Sequence, residues 1–206
     1  MALDGTYTGL KASVADYLNR SDLTSTIPDF ITLAEAQMNR RLRVSGMIAN
    51  VTATVTANYI TAPADMLQPI SVQIATQEPL GQVSPDALAT FNYNFPSGQG
   101  GQASSFASIN GNLQLDLGLI SGTVVELIYY QKIPPLATNA TNWLLTAYPD
   151  AYLYGALTQA APYLRQDDRL QVWASLFQTA LADIQSADGD VWGANLTPQP
   201  SVSSIK

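Results

Sequence analysis

The residues able to do acid–base or metal chemistry are few. The chain holds no His and no Cys. Without His there is no Ser-His-Asp or Cys-His relay. Without either type there is no zinc finger or thiolate metal site. No disulfide framework can form, so the missing Cys carries no information on compartment. Carboxylates remain, and Asp167-Asp168 is the densest pair. Two carboxylates could divide acid and base roles or share a metal ion. Neighbouring residues at a helix start point in different directions, however. A helix cap plus a charge that compensates the dipole explains this pair better. The glycines from Gly98 to Gly101 suggest a phosphate loop, but no Gly-Lys-Ser/Thr follows and no Lys lies nearby until Lys132. A mobile loop is the plainer reading. Sequons at Asn50, Asn139 and Asn195 need a secretory pathway that nothing else in the sequence supports. No active site, metal site or cofactor is therefore expected.

Two other groups could meet a partner. Arg40, Arg41 and Arg43 form the one basic cluster. They could contact DNA or acidic residues, and a solvated helix end favoured by the dipole also explains them. Arg40 and Arg43 lie near one helical face, so a partner contact is feasible. Trp143, Tyr148, Tyr152 and Tyr154 gather around one helix start. That spacing suits a core or a subunit interface rather than a substrate cage. Arg40, Arg41, Arg43, Tyr152 and Tyr154 are thus the candidates for a partner or subunit interface.

The elements that must carry these residues follow from periodicity. Residues 6–19 place Leu10, Val14, Tyr17 and Leu18 on one helical face. A second helix over 27–43 has Thr26 as N-cap, Pro28 and Asp29 in its first turn, and Phe30, Ala34, Met38 and Leu42 at i, i+4. Gly46 lies beyond it as a stop. From about 48 to 133 a period of two takes over. Residues 49–56, 58–61 and 70–75 read as strands, with Pro63 and Pro69 as breakers. Ser84-Pro85-Asp86 opens a short helix. Asn110-Gly111 suits a type I′ hairpin turn, and 123–132 is the strongest strand. After Pro134-Pro135 the pattern is helical again. Asn142 caps a short turn, and a helix over 149–164 contains Pro162. After a short connector, a helix over about 169–187 carries Leu170, Trp173, Leu176, Phe177, Ala180, Leu181 and Ile184 as an apolar stripe. So short a connection makes the last two helices an antiparallel hairpin.

The expected fold class is α+β. The N-terminal part (1–47) and a C-terminal hairpin (134–188) form a small helical bundle. An antiparallel β subdomain (48–133), sandwich-like or barrel-like, is inserted between them. Residues 189–206, with their Gly, Pro, Ser and Thr, are expected to be an extended arm without a core of its own.

Composition narrows the function. The 206 residues carry nine Lys+Arg against sixteen Asp+Glu, a net charge of −7, which argues against a clamp built on phosphate neutralisation. Charged residues make up 12% of the chain, where an ordinary soluble domain has roughly 25%. A surface so poor in charge suits a protein packed against neighbours. The start lacks a basic region and a continuous apolar run, and the uncharged 44–64 stretch alternates as a strand does, so neither a signal peptide nor a membrane span is expected.

Residues 142–188 resemble the C-terminal helical hairpin of head-to-tail adaptor proteins, the connector ring proteins of tailed bacteriophages, especially short-tailed ones. The likeness rests on Trp143-Leu144-Leu145, Tyr148-Pro149-Asp150, Tyr152 to Leu157, Asp167-Asp168-Arg169, and the Trp173, Phe177, Ala180, Leu181 stripe. Ala34-Glu35-Ala36 with Arg40-Arg41-Leu42, Asn58-Tyr59-Ile60 with Pro63-Ala64-Asp65, and Val125 to Pro135 extend it over roughly 6–188. The resemblance implies a non-enzymatic virion protein at the head–tail interface, made in the bacterial cytoplasm. It implies a homo-oligomeric ring, usually of twelve copies, beneath the portal protein, with tail (nozzle or tail tube) proteins attached. Genome DNA would pass through the lumen without specific binding, and no membrane is involved. The family's C-terminal segment often reaches onto the portal. Here that role would fall to Val191, Trp192, Leu196, Ile205 and Lys206, although the segment is less basic than the family pattern. Other readings are a tail-completion or stopper ring protein, a carbohydrate-binding module with an exposed Tyr/Trp platform, and, last, a hydrolase using Asp150, Asp167 or Asp183.

Overall fold

The computed structural model describes residues 4–74, 78–94, 103–116, 122–164 and 169–193, the last four as backbone only. In chain order the elements begin with α1 (Tyr7–Leu18), α2 (Ile27–Arg41), β1 (Ile48–Thr54), β2 (Tyr59–Thr61), β3 (Met66–Ile74) and β4 (Gly81–Gln82). There follow α3 (Pro85–Asn94), β5 (Ser105–Ile109), β6 (Asn112–Leu115), β7 (Val124–Gln131), α4 (Trp143–Ala147), α5 (Pro149–Leu164) and α6 (Leu170–Gly193). This is an α+β fold. The chain forms two compact units, one of Met1–Gly46 with Ile133–Lys206 and one of Met47–Lys132.

In the helical unit α5 is the centre, and α1, α2, α4 and α6 all pack on it. Its buried residues are mostly small or apolar, Ala151, Leu153, Gly155, Ala156, Leu157, Ala160 and Ala161 among them. Gly155 sets the closest approach. A Cβ there would lie 3.1 Å from Ala34 Cβ on α2 and 3.1 Å from Phe177 Cε2 on α6. Pro162 sits within the last turn of α5, which ends two residues later. On α1, Thr6 accepts from the Gly9 amide at 3.0 Å, and Asn19 at φ 51° closes the helix. Tyr17, expected on the buried face, is 51% exposed; Leu10, Ser13, Val14 and Leu18 form that face instead.

Three helix boundaries differ from the sequence expectation. Thr26 makes no side-chain cap, because its backbone is already helical (φ −98°, ψ −27°) and its hydroxyl does not reach back to the first amides. α2 ends at Arg41, and Leu42 is extended. Arg43 therefore lies past the helix. At the C-terminus, α6 continues through Gly193, so residues 189–193 are helical rather than extended. A glycine inside a helix costs about 1 kcal/mol and does not by itself end one. Asp188, which accepts from the Ser45 amide at 2.8 Å, anchors this turn.

The β unit has a three-stranded sheet ordered β1-β7-β3 and a four-stranded sheet ordered β2-β6-β5-β4. All pairings are antiparallel except the two-residue β4–β5 pair, which is parallel. Val72, Val125, Leu127 and Tyr129 from the first sheet meet Ile60, Phe106, Leu113 and Leu115 from the second in one buried cluster, which makes a sandwich. Pro69 does not break the chain as expected. It lies within β3 beside a register irregularity, tolerable because β3 is an edge strand. Asn110 (φ 49°) and Gly111 (φ 73°) make the type I′ turn between β5 and β6. Ala57 and Asn58 make a similar turn between Thr56 and Tyr59. Ser84 caps α3 at the Ala87 amide, 3.2 Å. Asp116, 1% exposed, gathers the Ser104 and Ser105 amides at 2.8 and 3.1 Å.

Candidate partner-binding surface

The frame of the helical unit is fixed by a buried polar cluster. α2 supplies Glu35 and Asn39, α5 supplies Tyr152, and Asn142 precedes α4. Glu35 Oε1 accepts from the Leu136 amide at 2.9 Å and from the Tyr152 hydroxyl at 3.3 Å. Asn142 donates to the same hydroxyl at 2.6 Å and to the Pro134 carbonyl at 2.8 Å. Its Oδ1 accepts from the Leu145 amide at 2.8 Å, the expected cap of α4. Asn39 Oδ1 accepts from the Ile133 amide at 2.8 Å. Burial pushes the Glu35 carboxyl above its usual range, against the two donors that pull it down. Burial likewise raises the Tyr152 hydroxyl far above its usual value. The cluster holds the returning 133–142 segment against α2 and α5. Its polar groups are occupied in positioning backbone, so it is a structural lock rather than an acid–base pair.

The surface around this frame is where a partner can reach. Arg40 and Arg41 are exposed at the end of α2. Arg43 is half-buried and donates to the Asn39 and Leu42 carbonyls at 2.8 and 2.6 Å, so it serves the helix end. Arg41 borders a groove lined by Gln178, Leu181, Ala182 and Gln185 of α6, and Gln185 donates to the Arg41 carbonyl at 3.0 Å. α6 buries one stripe, Trp173, Phe177, Ala180, Leu181 and Ile184. Its exposed face over 171–187 has a single charged residue, Asp183, beside Gln, Ser, Thr and Ala and the exposed Val172 and Leu176. Solvated helix faces normally carry many more charges. A notch of about 230 Å³ opens among Val44, Ser45, Gly46, Trp143, Tyr148, Ile184, Ala187 and Asp188. A Cβ at Gly46 would sit 3.1 Å from the Trp143 ring, so a larger residue there would have to displace that ring by a few tenths of an ångström.

The structure sorts the sequence-predicted residues. Tyr152 cannot be an interface residue, being fully buried with its hydroxyl tied to Glu35 and Asn142. Tyr154 is half-buried on α5. Val191 and Trp192 lie on the last turn of α6, while Leu196, Ile205 and Lys206 fall outside the described residues, as do Asp167-Asp168 and the Gly98 to Gly101 loop. Sequence reasoning missed the roles of Glu35, Asn39 and Asp188. Glu35 had a readable signal, a lone carboxylate beside Ile31, Ala34 and Met38 on an apolar stripe. Among the described residues no group of three or more acidic side chains is placed to hold a metal ion, and no helix is long and apolar enough to cross a membrane.

The sequence model of the SU10 adaptor protein family covers residues 5–199. No curated protein matches the chain.

Proposed function

Because the chain belongs to the SU10 adaptor protein family, a family of phage head-to-tail adaptors, we propose that copies of it form a ring beneath the portal and present the platform to which the tail attaches. The observation that carries this reading is the extent of the family match, which spans the helical unit and the β unit alike. The nearly uncharged exposed face of α6 supports lateral packing of copies. The net charge of −7 supports a lumen through which DNA slides, since like charges repel. The role is structural, with the portal and tail proteins as partners and the virion's head–tail junction as location. The residues after α6, which include Leu196, Ile205 and Lys206, are proposed to reach the portal, with Val191 and Trp192 on the preceding turn.

A null mutant of the phage tests this. Electron microscopy should show filled heads without tails, and adding the purified protein to those heads should allow tails to join. Heads that carry normal tails without the protein would refute the role. Tails present but empty heads would point instead to a stopper that retains DNA.

A further inference from the structure

The proposed ring needs two different lateral faces on each copy, because a cyclic head-to-tail contact joins unlike patches. α6 has two such flanks. At 3.6 residues per turn, Val172, Leu176 and Asp183 share one stripe. Gln178, Ala182 and Gln185, which border Arg41, share another, roughly 130° away. The arc of roughly 130° that separates them carries the exposed Ser175, Thr179 and Ser186, and the buried Trp173, Phe177, Ala180 and Ile184 stripe lies in the wider arc on the opposite side, so the flanks emerge on either side of the core contact.

The flanks are complementary. The first is apolar and acidic, with Val172 57% and Leu176 38% exposed beside Asp183. The second is polar and basic, with Arg41 bordering the groove and Arg40 exposed beside it in sequence at the end of α2. Among the described residues neither Asp183 nor either arginine has an ion-pair partner. We propose that neighbouring copies join through these flanks, the Val172/Leu176/Asp183 stripe of one copy meeting the Arg40/Arg41 end of α2 in the next. The occupant of each flank is thus a second copy of this chain. Charge sets the direction of the contact, and the two apolar side chains supply buried area.

This inference rests on the ring reading, and charge reversal separates the two. The full chain is mixed with the portal ring of its phage, and copies bound per ring are counted by native mass spectrometry. Asp183→Arg alone, and Arg40→Asp with Arg41→Asp, should each raise the concentration needed for a filled ring by at least roughly tenfold, because each places like charges in contact. Circular dichroism checks that both variants fold. All three changes in one chain should restore the ring. So should an equal mixture of the two defective proteins, which can alternate around it. Full rings from both defective variants would overturn the interface and leave the ring reading standing. Defects that neither combination repairs would also overturn the interface. Failure of the unaltered chain to form any multi-copy complex would remove both.

Discussion

Glu35 does two things that different substitutions separate. Its Oε1 satisfies two buried donors, and its charge is held away from water. Glu35→Leu removes the acceptor. The Leu136 amide is then buried without a partner, which costs about 1–3 kcal/mol. The Tyr152 hydroxyl loses a longer bond of 3.3 Å but still accepts from Asn142, so its share is smaller. The total loss should be about 2–4 kcal/mol. Glu35→Gln keeps a carbonyl oxygen for both donors and should cost less than about 1 kcal/mol. The pH dependence has a definite sign. Burial raises the Glu35 carboxyl above its ordinary 4.5, so the folded chain keeps a proton that the unfolded chain has released. Stability from this group is fullest below 4.5, falls as pH rises to the raised value, and then levels. Glu35→Gln removes that fall, so its stability relative to the unaltered chain should grow across the window. The three tryptophans, Trp143, Trp173 and Trp192, all belong to the helical unit. Denaturant unfolding followed by tryptophan fluorescence at several pH values therefore reads this unit. Equal losses for the Leu and Gln variants, or an unchanged pH slope in Glu35→Gln, would refute the reasoning.

Other changes probe other parts of the frame. Gly155→Val would drive a branched side chain into Ala34 and Phe177 and should cost roughly 3 kcal/mol in the same unfolding experiment. A neutral result would mean that α2 and α6 do not meet at that point. Asn142→Ala loses the α4 cap and the bonds to Pro134 and Tyr152, and should cost about 2–3 kcal/mol. A loss of only a few tenths would show that α4 needs no cap. At the surface, Arg20 bonds Asp22 at 2.6 Å and holds its carboxyl at about 2. Carboxyl NMR titration should find that midpoint, and Arg20→Gln should return Asp22 towards its ordinary range with no measurable change in fold.

How much the sequence revealed depended on where the deciding interaction lay. Local signals served well. Asn110-Gly111 forces a left-handed turn, Asn142 precedes a helical run, and the 123–132 alternation marks the strand that becomes the centre of its sheet. Non-local packing decided the rest. Pro69 reads as a breaker until its strand is known to be an edge. Residues 189–193 read as part of an extended arm until Asp188 is seen bonded to Ser45, distant in sequence. Tyr152 reads equally as a core or a subunit-interface aromatic because its partner Glu35 lies far away in the chain. The same holds for the candidate surface. The three arginines look alike in sequence, but the end of α2 at Arg41 turns Arg43 back onto carbonyls and leaves Arg40 and Arg41 outward.

The adaptor role itself is most directly tested by weighing the complex of this protein with the portal ring of its phage. Native mass spectrometry would be run on the full chain and on a chain ending at Gly193. The account predicts a discrete complex with a ring's worth of copies, weakened when residues 194–206 are removed. A full-strength complex from the shortened chain would keep the adaptor and discard the proposed reach onto the portal. Absence of any complex with the full chain would contradict the account at its centre.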